Sequence, residues 1–218
     1  MPQIKFTEDR DRLLLAMLPH VLFDGWSQKA LAAGQNALGG KTPDVQLLFP
    51  GGLRETAKHF GDYIDRQMLA KLTGLELEKM PVRERIVTGV QVRLQLLEPH
   101  RESLHRLLTF LALPGNHFTG MQITSQTADT IWHATGDKST DFNYYTKRGL
   151  LAGVYGSTIL YWLSDNSDDF ADTHAFLDRR IAGILKIPKI QNKIEQRLKK
   201  IIAPLHRLQR PGFSKAFR

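Results

Sequence analysis

Apolar residues recur at intervals of three and four along most of the chain. Leu13, Leu14, Met17, Leu18, Val21 and Leu22 form one such stripe, the spacing of a helix that buries one face. The same rule predicts helices near 8–22, 27–38, 43–49, 52–73, 80–97, 99–113, 117–134, 139–165, 168–186 and 189–203, about ten in all, so the expected fold is all-α. Thr42-Pro43-Asp44 reads as an N-cap, a proline at the first helical position and an acid in the first turn. Ser167-Asp168-Asp169 reads the same way, and Phe49-Pro50-Gly51-Gly52 and Leu113-Pro114-Gly115-Asn116 read as breaks. One stretch is ambiguous: Val90, Val92, Leu94 and Leu96 alternate with Gln91, Arg93 and Gln95, which is strand spacing. A helix keeps Ile86, Val90, Leu94 and Leu97 on one face, and with no partner strand or hairpin turn elsewhere, helix is the expectation.

The last stripe is different in kind. Ile187, Ile190, Ile194, Leu198, Ile201, Leu205 and Leu208 follow helical spacing, with Lys193, Arg197, Lys199 and Lys200 beside or opposite them, and Pro204 ends or kinks the helix. From residue 186 onward stand ten of the 30 Lys and Arg and one of the 22 acids, a net of +9; the rest keeps 20 basic and 21 acidic side chains, a net of −1. The overall charge of +8 is therefore a property of the tail. Three occupants fit a basic amphipathic helix: an anionic membrane interface, with Ile190, Lys193, Ile194, Arg197, Leu198, Lys200 and Ile201 in contact; the protein's own core; or nucleic acid. Nucleic acid is disfavoured, because no aromatic interleaves the charges from 186 to 212 to stack on bases.

Composition narrows the classes. Hydrophobic residues make up 42% and charged residues 24% of 218, enough to bury a real core. Cysteine is absent, which removes disulfides, thiolate metal sites and cysteine nucleophiles. No apolar run approaches the roughly 18–20 residues of a membrane span. Met1 to Asp11 lacks both the apolar core of a signal peptide and the acid-poor look of a transit peptide, so the expectation is a protein that stays where it is made.

Residues 9–60 have the layout of a three-helix DNA-binding head, and resemble that of the tetracycline-repressor family. Yet the third helix, Pro43 to Phe49, carries no Arg or Lys, and base reading needs side chains that reach base edges and phosphates. The head is read as degenerate. The expected organisation is this head over 1–60, a helical body over 61–186 and the basic tail over 187–218.

Catalytic motifs are missing. Glu102-Ser103-Leu104-His105 is a single Glu-x-x-His, where a carboxylate-bridged di-iron site needs two; its plain role is a surface ion pair near Arg101 and Arg106. There is no His-Glu-x-x-His, phosphate-binding loop or Gly-x-Ser-x-Gly elbow. No catalytic residue, metal or cofactor is assigned. Gly149, Gly153 and Gly156 share one apolar helix, each at a cost of about 1 kcal/mol relative to Ala. Close helix crossing and room for an acyl or isoprenoid chain account for them equally well.

The stretch 131–181 carries a resemblance. Gly136-Asp137, Ser139-Thr140-Asp141, Asn143, Tyr145-Thr146, Arg148, Leu151-Ala152, Tyr155, Thr158, Asp165, Ser167, Asp169-Phe170, Asp172-Thr173, Phe176-Leu177 and Arg180 closely resemble the signature region of the accessory proteins of coenzyme Q (ubiquinone) biosynthesis, the ninth Coq protein family. The resemblance implies a tetracycline-repressor-like homodimer that has lost DNA binding. It also implies a cavity for isoprenoid quinone intermediates or phospholipid, and presentation of that lipid to the demethoxyubiquinone hydroxylase of the pathway at a membrane surface. Carried over by position, Asp141, Asn143, Tyr144, Tyr145 and Arg148 fall in the partner patch, next to the lipid entrance. Tyr144 departs from the family, which usually has tryptophan there. Arg148 can fork onto a lipid phosphate or a partner carboxylate, or pair with Asp141 or Asp137. Arg148, Trp132, Leu151, Gly153, Tyr155 and Trp162 are the expected lipid-binding residues, with Phe142 and Tyr161 adding apolar surface; for the aromatics the alternative is core packing. The missing transit peptide fits a bacterial member, in the cytoplasm on the inner face of the membrane.

Overall fold

Leu13, Leu14, Met17 and Val21 are wholly withdrawn from solvent, and each such burial contributes roughly 1.5–3 kcal/mol. The computed structural model describes residues 2–40, 43–136 and 142–184, with side chains from residue 5 in the first stretch and from 146 in the last. Among the described residues are nine α-helices and no strand: α1 (Pro2–Asp24), α2 (Gln28–Ala37), α3 (Val45–Leu48), α4 (Gly52–Thr73), α5 (Val82–Leu97), α6 (Arg101–Ala112), α7 (His117–Ala134), α8 (Phe142–Ser164) and α9 (Ala171–Ile184). Two compact units divide the chain, Met1–Ile181 and Ala182–Arg218, and every contact below lies within the first. The helix expected over 189–203 lies outside the described residues.

Local chemistry explains most boundaries. Gly25, at φ +67°, closes α1 by donating to Val21 O at 3.0 Å, a left-handed cap that suits glycine. Ser27 caps α2 through Ala30 N. Gly34 then lets α2 lie directly on α1, since a Cβ there would stand 2.8 Å from Met17 Cα. Trp26 is buried and donates to Leu53 O at 3.2 Å, tying the turn to α4.

Three boundaries differ from expectation. The first helix begins at Pro2, well before the expected start near residue 8. The third helix is a single turn whose cap is Asp44, which accepts from Gln46 N at 2.7 Å, so Pro43 stands outside the helix. The last described helix starts at Ala171, after a 3-10 turn in which Asp169 and Phe170 adopt φ of 50° and 54°. Asp165 organises that junction. It accepts from the backbone N–H and hydroxyl of both Thr173 and Ser167, bonds that hold its carboxyl well below the usual carboxylate range. Arg101 completes the end of α8, donating to the carbonyls of Trp162, Leu163 and Asp165 while its guanidinium lies over the Trp162 and Phe170 rings.

The ambiguous segment is helix. Ile86, Val90, Leu94 and Leu97 are buried, as the helical reading requires. The apparent alternation comes from Arg93, polar in kind yet 3% exposed.

Candidate functional site

Two spaces meet in the helical body. Leu97 of α5, Leu104, Leu107 and Leu111 of α6 and Ile159 of α8 help to wall an apolar cavity of about 250 Å³. Leu160, 64% exposed, is the most open of its lining residues and marks its mouth. On the other side of α4 and α7 runs an open polar groove of about 900 Å³, bordered by Lys58, Asp62, Asp65, Gln126, Asp129 and Arg148. Gly61 and Ile123 line both. They touch so closely that a Cβ on Gly61 would fall 2.7 Å from Ile123 Cγ2.

The wall between them holds an ion pair. Arg93, facing the cavity, donates through Nε to Asp65 Oδ1 at 2.7 Å, and Asp65 borders the groove. Thr127 donates to both oxygens of the same carboxylate, at 3.1 and 3.0 Å. Arg93 also donates to the hydroxyl oxygen of Tyr155, and its guanidinium lies 5.0 Å from the centre of that ring. Burial raises the Asp65 carboxyl from its ordinary value, against the pull of Arg93 and Thr127. Burial works against the charge of Arg93 too, but its tyrosine and aspartate partners outweigh it and the group stays a cation. The Tyr155 phenol, pushed up to about 12 by burial, keeps its proton.

The expected lipid-binding residues scatter over this architecture. Tyr155 lines the cavity and Arg148 borders the groove. Arg148 pairs with Asp129, a partner one turn from the end of α7 that spacing did not suggest. Trp132 is buried, donates to Lys147 O at 3.1 Å and lies under the Lys147 ammonium. Leu151 and Trp162 are buried, and neither borders either space. Gly153 is exposed with nothing within 4 Å of a Cβ placed on it. Of the three helix glycines, Gly149 borders the groove and Gly156 the cavity, where a Cβ would meet Thr124 at 3.9 Å, an ordinary contact. Asp141 and the side chains of Asn143, Tyr144 and Tyr145 lie outside what the structure describes, as do Ile190, Lys193, Ile194, Arg197, Leu198, Lys200 and Ile201.

Sequence reasoning missed Asp65, Arg93 and the leucines of α6. A charged residue flanked by Val92 and Leu94 was the available signal for Arg93; its partner 28 residues away was not legible. The plain role of Glu102 holds: it pairs with Arg106 at 3.0 Å. Among the described residues no group of three His, Cys, Asp or Glu side chains is placed to hold a metal ion, and no helix is long and apolar enough to cross a membrane.

A one-turn third helix, a long body and a cavity between body helices define an all-α protein of the TetR-like fold. The crystal structure of a TetR transcriptional regulator from Nitrosomonas europaea superposes with a TM-score of 0.64, covering 81% of this chain and 97% of that one at 18% identity, a likeness of fold. The COQ9 family model matches residues 118–188. The mitochondrial ubiquinone biosynthesis proteins COQ9 of Rattus norvegicus and Homo sapiens are 36% and 34% identical over 177 residues, each covering 78% of this chain. COQ9-B of Xenopus laevis is 35% identical over 180 residues and 79% of the chain. The chain belongs to the COQ9 family.

The likeness thus reaches well beyond the stretch 131–181. The chain spans about half the length of these relatives, 56% and 55% of the first two. The expectation of a bacterial cytoplasmic protein is overturned, because the relatives bear mitochondrial names. That expectation rested on Met1 to Asp11, and the first residues of a chain matching part of longer relatives do not report on targeting.

Proposed function

We propose that the chain is a lipid-binding accessory protein of ubiquinone biosynthesis. In this reading it does no chemistry of its own, takes an isoprenoid quinone intermediate or a phospholipid into its helical body, and presents it at a membrane surface to the pathway's hydroxylase. The mitochondrion is the compartment its relatives' names suggest. The observation that carries the reading is the leucine-walled cavity inside a chain of this family. Such a concave apolar site with a few polar groups is the usual form of a small-molecule site.

The test is native mass spectrometry with lipid extraction on protein purified from a quinone-making host. A co-purified isoprenoid quinone or phospholipid, lost in Gly156→Leu, is the expected result. Gly156 borders the cavity, whereas Gly153 does not. Lipid-free protein, or lipid retained when the cavity is filled, would refute the reading.

The remaining roles belong to the same proposal: Asp141, Asn143, Tyr144, Tyr145 and Arg148 meet the hydroxylase, the chain pairs as a homodimer, and the tail from 187 rests on the membrane. Basic residues near an anionic surface contribute roughly 1 kcal/mol each. Replacing Lys193, Arg197 and Lys200 together by alanine is therefore expected to weaken binding to anionic liposomes roughly a hundredfold; unchanged binding at low salt would remove the tail's role. Regulation of transcription has the TetR-like fold in its favour, but the described part of the third helix, Val45 to Leu48, carries no basic residue to meet DNA.

A further inference from the structure

The polar groups in the wall of the apolar cavity have unspent hydrogen-bond capacity. Tyr155 is 5% exposed, and its hydroxyl oxygen accepts from Arg93. An arginine cannot accept in return, and no other described residue takes the Tyr155 proton. Arg93, 3% exposed, has five N–H groups. One goes to Asp65, one to Tyr155, and one reaches Gly61 O at a long 3.5 Å. A buried O–H and two buried N–H bonds are thus left over beside an otherwise apolar space. Unspent buried donors cost stability, and each needs a reason.

We propose that Arg93 and Tyr155 together read a neutral acceptor oxygen, a carbonyl, on the ligand whose apolar portion lies among the leucines of α6. The inference rests on the lipid-binding reading and adds the class of headgroup. One observation favours a neutral oxygen over an anionic phosphate, and two more describe how a carbonyl fits. The charge of Arg93 is already matched by Asp65 at 2.7 Å, so an anion would bring an uncompensated buried charge, which is costly. The unspent groups are donors, two of which one sp² oxygen with two lone pairs can engage. The cavity, at about 250 Å³, falls below the roughly 300–1,000 Å³ of ordinary ligand sites, so it takes a ring or ester group with the first part of a chain, and the remainder leaves past Leu160. Quinone rings and glycerolipid esters both supply such a carbonyl.

The experiment titrates the full chain with three soluble probes: a hexyl-substituted 1,4-benzoquinone, hexylbenzene and dihexanoylphosphatidylcholine. The chain has no cysteine, so the quinone meets no thiol. The hydrogen bonds should make the quinone bind about tenfold tighter than the hydrocarbon. Tyr155→Phe should lower the quinone-to-hexylbenzene affinity ratio severalfold, each probe being titrated against the same variant. With a ¹³C-labelled carbonyl, the probe's C=O stretch should move to lower frequency on binding wild type and by less on binding Tyr155→Phe. A Tyr155-dependent shift in the phosphatidylcholine ester carbonyl instead would support the same chemistry and name the glycerolipid as its source. Equal affinity for quinone, phosphatidylcholine and hydrocarbon, or an unshifted stretch in both carbonyl probes, overturns the headgroup assignment and leaves lipid binding standing. Failure of all three probes to bind overturns both. If Tyr155→Phe does not fold, the stretch in the wild-type complex decides alone.

Discussion

Arg93 of α5 donates to Asp65 of α4 at 2.7 Å, with 3% and 6% of their side chains exposed. The pair pins two body helices together at the boundary between the cavity and the groove. Removing one partner leaves the other charged and buried. Asp65→Ala is expected to lower unfolding free energy by about 3–5 kcal/mol, measured by urea denaturation. Asp65→Leu combined with Arg93→Met restores apolar volume and should cost far less than the two single changes summed. Additive losses would show that the two side chains do not act as a pair.

Gly61 and Ile123 set how closely α4 and α7 approach. Gly61→Ala places a methyl 2.7 Å from Ile123 Cγ2 and is expected to cost about 1–3 kcal/mol through overpacking. In an Ile123→Ala background the clash is gone, and the same change should become stabilising by up to about 1 kcal/mol, since alanine favours helix over glycine. The sign of the Gly61→Ala effect in the two backgrounds, read from thermal melts, checks this contact.

Arg101 serves three carbonyls at the end of α8 and covers Trp162 and Phe170. Arg101→Met keeps much of the apolar stem but loses the charge-assisted donors, and a loss of about 2 kcal/mol is expected. Hydrogen exchange at Leu163 to Phe170 should rise more than in α1; uniform exchange across the chain would show that Arg101 does not act locally.

Asp165 makes the α8–α9 junction sensitive to acid. Its hydrogen bonds from Thr173 and Ser167 depress its pKa in the folded chain below the ordinary 3.8. The unfolded chain therefore takes up the proton first as pH falls. The stabilisation is fully present above the ordinary value and is lost as pH drops below it. Asp165→Asn should be less stable at neutral pH and should lose that share of the acid dependence. Parallel stability curves for wild type and variant between about pH 5 and 2 would place the acid sensitivity elsewhere.

How much of the molecule was legible follows from how local each signal is. The α1 stripe and the pairing of Glu102 with Arg106 act within a few residues, and each was readable. The cap was read two positions early, because Thr42-Pro43-Asp44 offers two oxygens to one helix start and only the backbone path selects Asp44. The family signature around Asp165, Ser167 and Thr173 was visible as a dense string, while its physical job, tying the end of α8 to the start of α9, was not.

By itself the sequence determined the all-α class, most of the helices, the separation of a near-neutral body from a basic tail, and the family, because periodicity, caps and composition are properties of neighbouring residues. Tertiary structure alone decided where the cavity lies, that Gly156 and not Gly153 borders it, and that Arg93 faces inward to Asp65 and Tyr155. Those contacts join residues 28 and 62 positions apart. Their partners are chosen by how helices pack, and no local pattern of hydrophobic and polar positions encodes that choice.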